Sequence, residues 1–199
     1  MNFTYPNGAT PIDPNDELDL IPVHLTTQAE LNEAEHANIL KSRIWSRRRR
    51  HSDLLTVAFA ERLHRRMFGD VWKWAGERRK VELQNEVFLP PYQLAIELRA
   101  LFENTSYRIA NVKPDSAAEW DKLATEFHHR LVKIHYFRNG NGRHAREMTD
   151  LLLIQNGQPP FTWGGASLTK LSEVRAQYIA ALQKADEGDY SGLVGFARS

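Results

Sequence analysis

His135-Tyr136-Phe137-Arg138-Asn139-Gly140-Asn141-Gly142-Arg143-His144-Ala145-Arg146 is a polar loop that runs directly into a helix, and the remainder of the chain is read as its scaffold. Gly140 and Gly142 let the backbone approach an anion without a Cβ in the way, and Asn141 between them tolerates the unusual dihedrals of such a turn. Apolar residues recur at Ala145, Met148, Leu151, Leu152 and Ile154, which starts a helix at about Gly142. The N–H groups of its first turn, helped by the helix dipole, face the same anion. The stretch therefore points to a phosphate-bearing ligand.

Arg143 and Arg146 stand at the start of this helix, where the dipole disfavours cations by about 0.3–1 kcal/mol each. Their i,i+3 spacing puts both on one face, where two planar forks suit successive phosphates of a nucleotide. His135 is the candidate base, because its ordinary pKa lies near neutrality. A plainer reading stands beside this one: Arg143 with Glu147, and Arg146 with Asp150, are i,i+4 pairs of the kind that form solvated surface salt bridges. A dinucleotide fold fails on context. Gly140-x-Gly142-x-x-Ala145 follows strand-like residues 132–137, yet no βαβ unit and no acidic residue about 20 positions on is visible. No G-x-x-x-x-G-K-[ST] loop occurs anywhere.

The stretch resembles the signature of Fic domains, H-[P]-F-x-[D/E]-G-N-G-R-x-x-R, through His135, Phe137, Gly140, Asn141, Gly142, Arg143 and Arg146. The related kinase-type Doc proteins alter the G-N-G-R portion, so its intact form implies the nucleotidyl-transferring branch. Tyr136 stands where proline is usual, and Asn139 where an Asp or Glu that ligates magnesium is usual. An amide oxygen binds a hard cation but brings no negative charge. Through Leu20-Ile21-Pro22, Glu30-Leu31-Asn32-Glu33 and the run 72–76, the chain is also similar to the small stand-alone subgroup called mobile mystery protein B.

The resemblance implies a mostly α fold, a Fic-type helical bundle with one β-hairpin flap. It implies transfer of AMP from ATP, with Mg2+, to a Tyr, Thr or Ser hydroxyl of a target protein. In that scheme His135 deprotonates the hydroxyl, and the Gly140-Asn141-Gly142 nest stabilises charge on the transferred group. Arg143 grips the β-phosphate and Arg146 the γ-phosphate; Phe137 anchors the loop; Asn139 helps hold the metal. Two alternatives stay open: a regulatory or toxin-like module whose nucleotide site only binds, and transfer of another phosphate-containing group.

A chain of 199 residues suffices for one buried core. Its composition, 42% hydrophobic and 26% charged with a mean hydropathy of -0.53, is that of a soluble globular protein. A net charge of +1 makes nucleic acid an unlikely partner. Without cysteine, thiol catalysis and disulfides are excluded. No apolar run is long enough to span a membrane and residues 1–19 are not a signal peptide, so the expected location is cytoplasmic. The oligomeric state is open, a homodimer included.

Residues 1–22 carry four prolines and read as an extended arm, with a single domain over 23–199. Thr27 followed by Glu30 fits a capping box and opens a helix over about 27–48. In the family, an inhibitory helix carries [S/T]-x-x-x-E-[G/N], whose glutamate pairs with the motif's second arginine. Thr26-x-x-x-Glu30 resembles it, so Glu30 is the expected inhibitory residue, with Glu33 or Glu35 as alternatives. The run 47–50 of four arginines is a solvated helix end rather than a stripe, because consecutive helical residues point in different directions. Further helices are expected over 54–67, 91–103, 116–134, 167–186 and 190–197, and the tryptophans of 72–74 are core.

Alternation through Val81, Leu83, Val87 and Phe88 predicts a hairpin over 78–89, closed by Pro90-Pro91. In the family this place is the flap that registers the target by strand addition, here Val81, Glu82, Leu83, Gln84, Val87 and Phe88. His128 and His129 face apart on a helix and no H-E-x-x-H occurs, so zinc is not expected.

Overall fold

A computed structural model of the chain describes residues 18–48, 50–83, 88–165 and 171–199. The helices are α1 (Gln28–Arg47), α2 (Val57–Phe68), α3 (Leu94–Ile109), α4 (Ala117–Ile134), α5 (Asn141–Gln155), α6 (Leu171–Asp186) and α7 (Ser191–Arg198). The fold is thus mostly α, as the periodicity predicts.

Local signals set the helix starts. Thr27 and Glu30 form the complete capping box of α1, and the Thr56 hydroxyl accepts from the Phe59 N–H at 3.1 Å to open α2. Burial then assembles them. α4 lies against α3 and α5, α1 against α2, and α6 against α7. Phe59, Leu63 and Met67 of α2 meet Leu123 and Phe127 of α4 and Met148 and Leu152 of α5 in the main core. Each such side chain contributes about 1.5–3 kcal/mol on burial. Trp72 and Trp74 stack at 5.2 Å inside it, so these tryptophans are core.

The end of the arm is docked: the Ile21 N–H donates to the Val71 oxygen at 2.8 Å, and Leu20 is buried beside Trp72. No strand ladder forms among the described residues. Isolated bridges join Leu20 to Trp72 and Arg78 to Phe137. The expected hairpin is therefore absent from the part of 78–89 that is described, while Gln84 and Val87 lie outside the described residues. Arg78 instead bridges to the chain just after His135. Among the described residues, no helix is long and apolar enough to cross a membrane.

Two buried acids on α5, Glu147 and Asp150, tie α1 to it. Arg43 Nε donates to Glu147 at 2.9 Å, and Arg47 reaches Glu147 at 3.3 Å and Asp150 at 3.4 Å. The i,i+4 surface pairs considered for Arg143 and Arg146 do not form, because both acids are buried, Glu147 against α1 and Asp150 between Arg47 and the N–H groups of Phe161 and Trp163. Arg47 likewise leaves the solvated helix end to join this buried cluster.

Candidate active site

α4 stops at His135, which takes the left-handed region (φ 50, ψ 54) while its N–H still donates to the Leu131 oxygen. Glycine is the usual residue at such a stop, and any other bears a steric cost of about 1–2 kcal/mol. The imidazole Nδ1 lies 3.3 Å from the Val132 carbonyl oxygen. A carbonyl only accepts, so Nδ1 carries the proton and the lone pair sits on Nε2. Burial lowers the imidazole pKa to about 4; the Arg79 charge works in the same direction, and the Val132 carbonyl opposes it. At neutral pH the ring is uncharged, as a general base must be. The Phe88 ring packs against it at 4.2 Å.

The loop that follows is stapled to itself. Asn141 Oδ1 accepts from the Phe137 N–H at 2.9 Å, and its Nδ2 donates to the Phe137 oxygen at 2.7 Å. The Asn141 side chain is thus a brace, and what it offers a ligand is its backbone. Phe137 is buried face to face on His64, with ring centroids 3.7 Å apart. His64 Nδ1 accepts from the Gly76 N–H, so its Nε2 carries the proton and donates to the Asn139 carbonyl at 3.0 Å. Tyr136 is buried and donates to Glu61 on α2 at 2.7 Å, a second anchor for the loop.

Gly140 (φ 76) precedes α5, and a Cβ there would lie 2.6 Å from Phe68 Cζ. The N-cap of α5 is Gly140, which supplies no side-chain cap, so the first-turn N–H groups are left without one. Near Gly142 the closest atom to an added Cβ is the Tyr178 hydroxyl at 3.8 Å. Arg146 lies over the Tyr178 ring at 4.5 Å and the Trp163 ring at 5.7 Å, and its buried Nε has no hydrogen-bond partner. Arg175 on α6 has its pKa lowered by burial and then by the positive charges of Arg146 and Arg143. An anion placed among these cations relieves that repulsion. A cavity of about 380 Å³ opens beside Arg143 and Arg146, bounded by His36, Ile39 and Arg43 of α1 and by Trp163.

Residues 54–153 match the family model described as Fic/DOC family. The chain belongs to that family. It is 32% identical over 145 residues to a Drosophila persimilis protein named protein adenylyltransferase Fic, covering 71% of this chain and 26% of that one. An Aedes aegypti protein of the same name is 32% identical over 148 residues, covering 73% of this chain and 27% of its own length. The chain thus spans about a quarter of the curated relatives it matches. Among solved structures, the BepC protein of Bartonella tribocorum with bound AMPPNP aligns with a TM-score of 0.72 at 18% identity, covering 96% of this chain and 92% of that one. A Fic domain from Bartonella quintana with bound ADP aligns at 0.67 and 18% identity, covering 88% and 86%.

In this Fic site the expected residues fall into two groups. Gly140, Gly142, Arg143 and Arg146 stand at the start of α5, His135 ends α4, and Phe137 on the loop between them is buried. Glu30 does not join them. Its carboxylate accepts from the Thr26 and Thr27 N–H groups at 2.9 Å at the exposed end of α1, and those bonds lower its pKa. The α1 carboxylate that reaches the motif is Glu35, 2.5 Å from Arg143 Nη1 and held by the Trp72 Nε1–H at 2.7 Å. Asn139 Oδ1 accepts from the Gly140 N–H at 2.6 Å. This neutral oxygen, turned onto its own loop and without a carboxylate beside it in the motif, does not fit a resident magnesium site.

Among the described residues, no group of three or more His, Cys, Asp or Glu side chains is placed to hold a metal. His128 is occupied with the Tyr178 hydroxyl at 2.8 Å and His129 with Asp186 at 2.7 Å. Of the flap residues, Phe88 touches His135 and Val81 is exposed. His64, Arg79, Trp163, Arg175 and Tyr178 carry no signal in the sequence as site residues, because each lies outside the 135–146 motif and meets it only through the fold.

Proposed function

We propose that this Fic protein is an adenylyltransferase that moves AMP from ATP to a Tyr, Thr or Ser hydroxyl of a target protein, and that α1 restrains it. The observation that carries the reading is the pairing of a neutral, Nδ1-protonated His135 with an uncapped helix start flanked by Arg143 and Arg146. The names of the curated relatives support it.

In the reaction the target hydroxyl oxygen bonds to the α-phosphorus as its proton passes to His135 Nε2. The bond from that phosphorus to the bridging oxygen breaks, and pyrophosphate leaves with the electron pair. The Gly142 region N–H groups face the α-phosphate charge, while Arg143 and Arg146 hold the β- and γ-phosphates. No step runs through a protein-bound metal. Val81, Glu82 and Leu83, together with Phe88, whose ring lies against His135, present the target chain to it.

Restraint comes from Glu35. Its carboxylate occupies Arg143, the guanidinium that would otherwise meet a phosphate. The test is label transfer from α-labelled ATP, comparing wild type with Glu35→Gln, Glu30→Gly and His135→Ala. Label that rises in Glu35→Gln and disappears when His135→Ala is added supports the reading. ATP binding without label in any variant would favour the second reading, a nucleotide-binding module, toward which the neutral Asn139 points.

A further inference from the structure

Arg79 is wholly buried, yet it forms no ion pair among the described residues. Burial disfavours its charge and the Glu82 carboxylate only partly offsets that, so its N–H groups need acceptors. Arg79 spends them on three backbone carbonyls, one two residues on, one ten residues on and one from the loop after α4. Nε donates to the His135 oxygen at 2.7 Å, Nη1 to the Val81 oxygen at 2.9 Å, and Nη2 to the Leu89 oxygen. Its own N–H donates to the Tyr136 oxygen at 3.0 Å, next to the bridge between Arg78 and Phe137. Val81 and Leu89 flank the segment that meets the target in the proposed function. Leu89 also follows Phe88, whose ring lies against the His135 imidazole.

We infer that Arg79 is a positioning residue that fixes both ends of the target-docking segment to the backbone of His135, setting the base in register with the hydroxyl brought to it. The inference rests on the adenylyltransferase reading, but its geometry stands without it. His135 holds a left-handed conformation that a non-glycine residue keeps only when its surroundings impose it. The Arg79 side chain grips the carbonyl of that residue, and the Arg79 backbone grips the next one. Through Leu89 it also sets where Phe88 rests on the imidazole. Lysine, with one compact ammonium, cannot span three carbonyls in a plane.

The experiment compares wild type with Arg79→Lys by hydrogen exchange, by proton titration of the His135 ring and by transfer kinetics. The expected result is exchange about tenfold faster in 79–83, 88–89 and 134–138, with α6 and α7 unchanged. The His135 titration rises toward the ordinary histidine value. Where wild type transfers label, kcat falls by about tenfold or more while ATP affinity stays within about twofold. Exchange unchanged in those segments, or faster to the same degree everywhere, overturns the inference, because the second pattern is that of a residue serving stability alone. A wild type that transfers nothing would count against the proposed function, and the exchange and titration would still decide the role of Arg79. Should Arg79→Lys not fold, native-state exchange of the wild type decides. The Arg79, His135 and Phe137 amides opening as one unit supports the inference, and separate opening overturns it.

Discussion

Glu35 on α1 lies 2.5 Å from Arg143 on α5, joining residues 108 positions apart in the chain. The carboxylate is buried and its second oxygen is held by Trp72, whereas the arginine side chain is 39% exposed. The exposed side discounts the pair to about 1 kcal/mol. Glu35→Gln keeps an acceptor for Trp72 and removes the charge. It should therefore raise affinity for a non-hydrolysable ATP analogue by about fivefold, measured by calorimetry. Unchanged affinity would show that the pair does not compete with nucleotide.

His135→Ala removes the proton acceptor and leaves the start of α5 and both arginines in place. Transfer should fall by about 10²–10⁴-fold with nucleotide affinity nearly intact. Parallel loss of both in the same titrations would mean that the ring holds the nucleotide rather than the acceptor.

The two glycines of the motif should separate fold from ligand. Gly140→Ala forces a side chain into a left-handed residue, with its Cβ 2.6 Å from Phe68 Cζ, at a cost of about 2–3 kcal/mol. Gly142→Ala meets nothing closer than 3.8 Å, so its melting temperature should stay near wild type while the new methyl group hinders phosphate approach. Thermal melts with and without ATP distinguish the two, and equal destabilisation would contradict the assignment.

Acid should weaken the fold from about pH 6.5 downward. Burial holds the His64 pKa well below its ordinary value and brings His144 to about 4 and His128 to about 3. The unfolded chain therefore binds more protons below pH 6.5, and stability present above that pH is lost as pH falls toward these folded values. Each histidine contributes up to about 1.4 kcal/mol per pH unit in that window. Asp150, raised chiefly by burial to about 6, works in the opposite sense between its unfolded value of 3.8 and 6, and three histidines outweigh it. Urea midpoints across this range should drop with pH; a flat profile would count against neutral buried imidazoles.

Helix starts were legible because their signals are local: the Thr27 and Glu30 capping box and the amphipathic period of 116–134 appear as read. The loop and its arginines were legible for the same reason, and the family match confirms the resemblance they carried. Glu30 shows where local reading misleads. Thr26 and Thr27 stand four and three residues before Glu30, so the same glutamate fits both an inhibitory motif and a cap, and the cap bonds claim its carboxylate. Which acid of α1 reaches α5 depends on how α1 packs, and spacing carries no trace of it. The same holds for Glu147 and Asp150, whose i,i+4 arginines lose them to α1 and, for Asp150, also to Phe161 and Trp163. His64 under Phe137 was invisible because two segments meet there only in the folded state.

The left-handed His135 has an evolutionary corollary. Glycine would stop α4 at no steric cost, so under the proposed function the most stable residue and the useful one at this position are different. A lineage selected for thermal tolerance alone would drift toward glycine here and become a sturdier, silent protein.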